Sequence, residues 1–227
     1  MATLLLRLAG ALQSWGAESK FETRRTMEFP TKSGVIGLLA AALGLSRDAS
    51  LERLNALKFG VRVDQEGKLL RDYQIAKGKK DKDTYLTYRY YLTDAVFLVG
   101  LESEDEDFLK ELSDALQHPA FPLYLGRRSC PPTMPLLLGL RQSALLAALQ
   151  EELWLVSSWR QNAENSKLRI LTDSDQPEQD ALLRDVPVSF SPIHRKYTWR
   201  AVHDHGYMEA KCDMMPTEHD AFAELEG

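Results

Sequence analysis

The residues best placed to do chemistry in this chain are arginines in loops. Leu125 to Pro132 reads LGRRSCPP. Gly126 frees the backbone, two prolines stiffen the exit, and Arg127 and Arg128 project from between them. A guanidinium is a planar fork that matches phosphate oxygens and stacks on flat rings. A rigid pair therefore suits positioned phosphate contacts better than a mobile lysine tail does. Arg24 and Arg25 stand in a second loop, residues 11–32, together with Gln13 and Trp15. The indole offers a stacking face, although a loop Trp is as readily core and a loop Arg is as readily solvated. That loop ends in FPTKSG, placing Lys32 and Ser33 just before an apolar run. A helix N-terminus there would offer free N–H groups and a partial positive charge, with Lys32 adding a full one and Ser33 capping. Simple capping with no ligand is the competing reading. Lys77 to Asp83 (KGKKDKD) carries Lys79, Lys80 and Lys82 on an expected hairpin tip, which is equally well a soluble strand end. The tyrosines at 85, 88, 90 and 91 read more readily as sheet packing than as base stacking.

Other chemistries lack their residues. FPTKSGVIG has no earlier glycine to make a phosphate-cradling GxxxxGK[ST] loop, and no Asp-bearing strand is evident to hold magnesium. All five histidines (His118, His194, His203, His205 and His219) fall in the second half. His203 and His205 form an HxH pair, but no further ligand completes a metal site. No GxSxG, HExxH or paired-acid signature appears. Cys130 and Cys212 are too few for a disulfide framework or a thiolate zinc site, as in a reducing cytoplasm. Neither a metal nor another cofactor is expected.

The elements that must position these groups follow from periodicity. Thr3–Ala9 is a short apolar strand closed by Gly10, and it reads better as that than as a signal peptide. GVIGLLAAALG is a helix with almost no polar side, ended by Gly44, so most of its sides must be covered. A short helix is expected at 50–57. Phe59–Val63 and Leu69–Ile75 are strands, with Glu66-Gly67 as a hairpin turn between them. Strands follow at Tyr85–Tyr91 and Ala95–Leu101, an amphipathic helix at Asp105–Gln117, and a helix at Leu145–Leu153. Later strands are expected at Lys167–Leu171, Val186–Phe190 and Lys196–Val202. The order suits an α+β, ferredoxin-like βαββαβ sheet, as in RRM-type RNA binders. The expected organisation is one such domain over 1–140 and a C-terminal extension over 141–227 that completes or flanks it.

The net charge of −5 argues against nucleic acid only until its distribution is seen. Lys20–Arg47 holds five basic and two acidic residues, and Lys58–Tyr91 nine and five. Glu102–Asp114 holds seven acids against one Lys, as does His203–Gly227. Such polarity lets an acidic chain present a basic face to phosphates. No apolar run is long enough to cross a membrane.

Three stretches in order, LRLAGALQSWG, TRRTMEFPTKSGVIGLLAAALG and YLGRRSCPP, resemble the CasD family of type I-E CRISPR Cascade subunits, which hold the 5′ handle of the guide RNA (crRNA). RDYQ (71–74), RYYLTDAVF (89–97) and the late RKYTWRAV are also similar. The resemblance covers most of residues 2–140; residues 141–185 and the acidic tail match nothing in it. It implies a ferredoxin-like RAMP domain with a β-hairpin thumb at about residues 75–88. It also implies an RNA groove between the first loop, the start of the first helix and the GRRSCPP loop. Carried residue by residue, the RNA contacts are Gln13, Trp15, Arg24, Arg25, Lys32, Ser33, Arg89, Arg127 and Arg128. Lys79, Lys80 and Lys82 on the thumb join them. The implied partners are the crRNA 5′ handle, the Cascade backbone subunit and the large subunit, with target DNA reached only through the complex. The expected role is a non-catalytic, cytoplasmic RNA-binding subunit in antiviral defence. The alternative is a metal-independent endoribonuclease that processes precursor crRNA with Tyr, His and Lys. The absence of any His before residue 118 favours binding.

Overall fold

The computed structural model describes residues 1–16, 22–77, 84–161 and 166–211. In chain order its strands and helices are β1 (Ala2–Ala9), β2 (Leu12–Gln13), β3 (Thr23–Arg24), α1 (Lys32–Ala42), α2 (Glu52–Asn55), β4 (Lys58–Gln65), β5 (Lys68–Lys77), β6 (Thr84–Thr93), β7 (Val96–Ser103), α3 (Glu106–Gln117), β8 (Leu137–Arg141), α4 (Leu145–Glu151), β9 (Lys167–Ser174), β10 (Ala181–Ser189) and β11 (Lys196–Glu209). The fold is mixed α+β, mostly antiparallel sheet with few helices.

Seven strands form one sheet in the order β10-β11-β9-β4-β7-β1-β8. Every neighbouring pair in it is antiparallel. β1 is apolar apart from Thr3 and Arg7 because both of its faces are covered. Leu4, Leu6 and Leu8 join the core beneath α1 and α3, while Leu5 packs with Leu145 and Leu149 of α4 on the opposite face. α4 comes close because Gly60 and Gly100 are paired across β4 and β7 directly beneath it. A Cβ on Gly100 would lie 2.6 Å from Leu145, and one on Gly60 2.9 Å from Leu149. α4 ends where Arg62, itself fully buried, takes the carbonyls of Leu149, Glu152 and Leu153. α3 shows the expected stripe, with Phe108, Leu109, Leu112 and Leu116 buried, and Asp105 caps it through the N–H of Phe108.

A smaller sheet is built on β6, which pairs with β5 and β2 antiparallel and with β3 parallel. The β5–β6 hairpin has ten residues in each strand, longer than the expected 75–88 thumb. Its tip, with Lys79, Lys80 and Lys82, lies outside the described residues.

Two expectations need correction. Glu66-Gly67 does not join a hairpin, because β4 belongs to the large sheet and β5 to the small one. Burial explains the split: β4 is enclosed from Phe59 to Asp64, whereas Leu69, Leu70, Tyr73 and Ile75 of β5 are exposed. The cap of α1 is Thr31, not Ser33: Thr31 Oγ1 accepts the N–H of Gly34 at 3.2 Å.

The expected late strands are all present and longer, and β9 bonds directly to β4. The sheet is therefore continuous from β8 through the C-terminal strands. No helix is long and apolar enough to cross a membrane.

Candidate nucleic-acid interface

A groove of about 1000 Å³ runs along one side of α1. Ser33, Gly34, Gly37, Ala40 and Ala41 form its floor, and their small side chains are what keep it open. The rest of the lining comes from the segment Phe121 to Arg128 with Ser14 and Gly16, and from Phe190, Arg195 and Tyr197. Arg47 stands at the end of the helix. The lining thus holds four arginines (Arg47, Arg127, Arg128 and Arg195) and not one carboxylate among the described residues. In a chain of net charge −5 that segregation makes the groove a focus of positive potential.

The arginine turn is tightly built. Leu125 N–H donates to Cys130 O at 2.7 Å, Cys130 N–H to Arg127 O at 2.9 Å, and Ser14 N–H to Leu125 O at 3.1 Å. Gly126 has φ +81°, and a Cβ on it would lie 1.8 Å from Ser14 O, so only glycine fits this crossing. Leu125 and Cys130 are fully buried, anchoring the turn while Arg128 stays exposed. Burial pushes the Cys130 thiol up, as for an unreactive core cysteine.

Arg127 is half-buried. It donates to Arg24 O at 2.9 Å and lies 4.8 Å over the Tyr91 ring. Arg24 is the register partner of Arg89 across β3 and β6, which brings Arg24, Arg89 and Arg127 together. Burial raises the Tyr91 phenol, but hydrogen bonds from Ser129, Arg127 and Arg89 and the charge of Arg127 outweigh it, leaving it below its usual value. Arg89 Nε and Arg127 Nη1 are enclosed without an acceptor among the described residues. Buried cationic donors of this kind are costly unless an anion completes them. Arg25 is exposed beside Arg24.

Three expected contacts have other work. Gln13 and Trp15 are wholly buried. The indole Nε1 donates to Gln13 Oε1, and Gln13 Nε2 donates to the carbonyls of Leu8 and Ala95. A Cβ on Gly34 would lie 2.7 Å from the indole, so Trp15 is wedged between loop and helix with no free stacking face. Lys32 is also buried, its Nζ donating to Asp173 at 2.7 Å and to Leu57 O at 2.9 Å. Its backbone N–H is taken by Asp185 at 2.8 Å, so a protein carboxylate holds that position at the helix end where a phosphate was expected. Arg200 closes the quartet, bonding Asp173 and both oxygens of Asp185. Burial works against the Arg200 charge, but the two carboxylates outweigh it and raise its pKa. Ser33 is mostly buried at the groove floor, its Oγ 3.4 Å from Thr31 Oγ1.

Sequence reasoning missed Arg47, Tyr124, Phe190, Arg195 and Tyr197. Residues 193–200 read IHRKYTWR, a basic and aromatic interleaving that marks single-strand binders. His203 is bonded to Asp180 and His205 to Thr172, and the described residues contain no cluster able to hold a metal ion.

The model of the family described as CRISPR-associated protein (Cas_Cas5) matches residues 3–203. This chain belongs to the CRISPR-associated Cas5 family. The match runs through β1, α1, the arginine turn and into β11, so every lining residue of the groove of this Cas5-family chain falls within it. The chain is 41% identical over 161 residues, 62% of its own length and 72% of the relative's, to the CRISPR system Cascade subunit CasD of Escherichia coli (strain K12). A solved chain from a CRISPR RNA-guided surveillance complex is 33% identical and superposes with a TM-score of 0.78, covering 92% of this chain and 90% of that one. A crystal structure of a Cas protein is 40% identical with a TM-score of 0.71, covering 90% and 94%.

Proposed function

We propose that this chain is the non-catalytic crRNA-binding subunit of a type I-E CRISPR Cascade complex, capping the 5′ handle of the guide RNA in the cytoplasm. The observation that carries the reading is the groove with four arginines and no carboxylate. Its size exceeds that of most small-molecule sites and suits a run of polymer. Guanidiniums supply phosphate contacts, and Tyr124 and Tyr197 supply rings for unstacked bases. The unit β1–α1–β4–β7–α3–β8, with spatial order β4-β7-β1-β8, supports reading this part of the chain as a ferredoxin-like RAMP domain. The thumb hairpin exposes Leu69, Tyr73, Ile75, Leu86 and Tyr88. Such apolar exposure fits a protein partner, and we assign it to the backbone subunit. The large subunit is the second expected neighbour.

Binding is preferred over RNA cleavage because the described groove contains no His, Asp, Glu or Lys to move a proton. The test is to incubate the purified chain in EDTA with RNA carrying the CRISPR repeat. The reading expects tight binding that depends on the repeat-derived 5′ end, with the RNA intact. Repeat-specific cleavage would replace the binding role with the endoribonuclease, and no preference for the handle would remove the capping role.

A further inference from the structure

We propose that the β10–β11 hairpin is a second RNA-contacting jaw of this groove, with Arg195 on a phosphate and Tyr197 against a base of single-stranded RNA. The inference rests on the function proposed above and extends it to a region that carried no assigned role. Phe190 just after β10, Arg195 in the turn and Tyr197 at the start of β11 line the same groove as the Arg127–Arg128 turn. Arg195 is exposed and has no carboxylate partner among the described residues, whereas Arg200, five residues on, is consumed by Asp173 and Asp185. Two arginines of one strand region thus serve opposite ends: one is neutralised inside the protein, and the other is left charged at the groove.

The jaw is set at a fixed distance from the helix. Asp185 of β10 bonds the first N–H of α1, Arg200 of β11 grips Asp185 and Asp173, and Lys32 of α1 grips Asp173 in return. Asn55 Nδ2 donates to Pro187 O at 2.8 Å, tying β10 to α2 as well. The Phe190 ring lies against Gly37, 3.7 Å from where a Cβ would stand. A hairpin anchored this way loses little backbone freedom on meeting a ligand, which is how preorganised surfaces gain affinity. An aromatic beside an unpaired arginine, lining one groove together with Arg127 and Arg128, is the combination that grips single-stranded nucleic acid by stacking and charge together.

Affinity for in vitro transcribed crRNA, measured across a salt series, tests the jaw. The variants are Arg195→Ala, Tyr197→Ala, Arg128→Ala, and Arg184→Ala as an exposed charge of the same hairpin that does not line the groove. Arg195→Ala should bind about tenfold more weakly and lower the slope of log K against log salt by about 0.7, the value for one phosphate on a single strand. Tyr197→Ala should also lose about tenfold, at unchanged slope. Arg184→Ala should bind as the parent does. If Tyr197→Ala lowers the melting temperature, Tyr197→Leu, which keeps bulk without the ring, decides in its place. Parental binding by both jaw variants while Arg128→Ala is weak would overturn the jaw and leave the proposed function standing. An Arg195→Ala loss no larger than that of Arg184→Ala would overturn it too. Parental binding by Arg128→Ala as well would remove the groove reading itself.

Discussion

Arg127 and Arg128 are neighbours with different loads. Arg128 is exposed on a turn whose own hydrogen bonds do not involve its side chain, so Arg128→Ala should leave the melting temperature unchanged. A charge-assisted contact to phosphate is worth roughly 1.5–3 kcal/mol, and crRNA affinity measured by fluorescence anisotropy should fall by about tenfold or more. Arg127 also holds Arg24 O and covers Tyr91, so its removal should loosen the loop besides weakening RNA. Lys32 behaves in the opposite way. Its sequence position suggested an exposed cation beside a helix end, where charge reversal would spare the fold. Its side chain is only 8% exposed and completes the Asp173–Arg200–Asp185 quartet. Breaking one member of a buried ion network costs roughly 3–5 kcal/mol, so Lys32→Met should lower unfolding stability by about that much in a urea melt. A change below about 1 kcal/mol would mean that the quartet is not a buried network in solution. The arginine turn was legible because Gly and Pro announce a rigid loop locally. The fate of Lys32 was not, because its acceptor Asp173 and its backbone's acceptor Asp185 are far away in sequence. The burial of Gln13 and Trp15 was hidden for a related reason: a loop side chain looks available until the loop is seen to fold over it.

Among the elements, α1 is the one on which the site depends. One side is buried through Val35, Ile36, Leu38 and Leu39, and the side bearing Gly34, Gly37 and Ala41 is left open as the groove floor. A nearly all-apolar segment announced burial but not that small residues would mark the uncovered side. Only the most charged part of the β5–β6 hairpin stands out in sequence, although its strands continue to Lys68 and Thr93. On the far face of the sheet, Gly60 and Gly100 seat α4 against the strands. Gly100→Ala puts a methyl group 2.6 Å from Leu145, and such overpacking costs typically about 1–3 kcal/mol. Thermal melting should show that loss, while crRNA binding by the protein below its melting temperature should be unaffected, since α4 lies across the sheet from the groove. Unchanged stability would mean that α4 is seated more loosely than this packing implies.

At the scale of the whole molecule, the proposed function divides the surface between RNA and protein. The groove gathers arginines and excludes carboxylates, and the thumb carries exposed Tyr73 and Ile75 paired with Tyr88 and Leu86. If the thumb face docks the backbone subunit, Tyr73→Lys with Ile75→Lys should leave the isolated chain's crRNA affinity within about twofold, because exposed substitutions away from a site change little. The same variant should fail to co-purify with the backbone subunit; undiminished assembly would show that the thumb's apolar strip has another role. The central claim, that RNA occupies the groove, is tested most directly by photo-crosslinking. Guide RNA carrying 4-thiouridine in its repeat-derived 5′ end would be irradiated on the full chain and the modified peptides mapped by mass spectrometry. The predicted result is crosslinks on the segment from Phe121 to Arg128 and on the β10–β11 turn, lost when excess unlabelled guide RNA competes. Crosslinks confined to the opposite face of the large sheet, around α4, would contradict it.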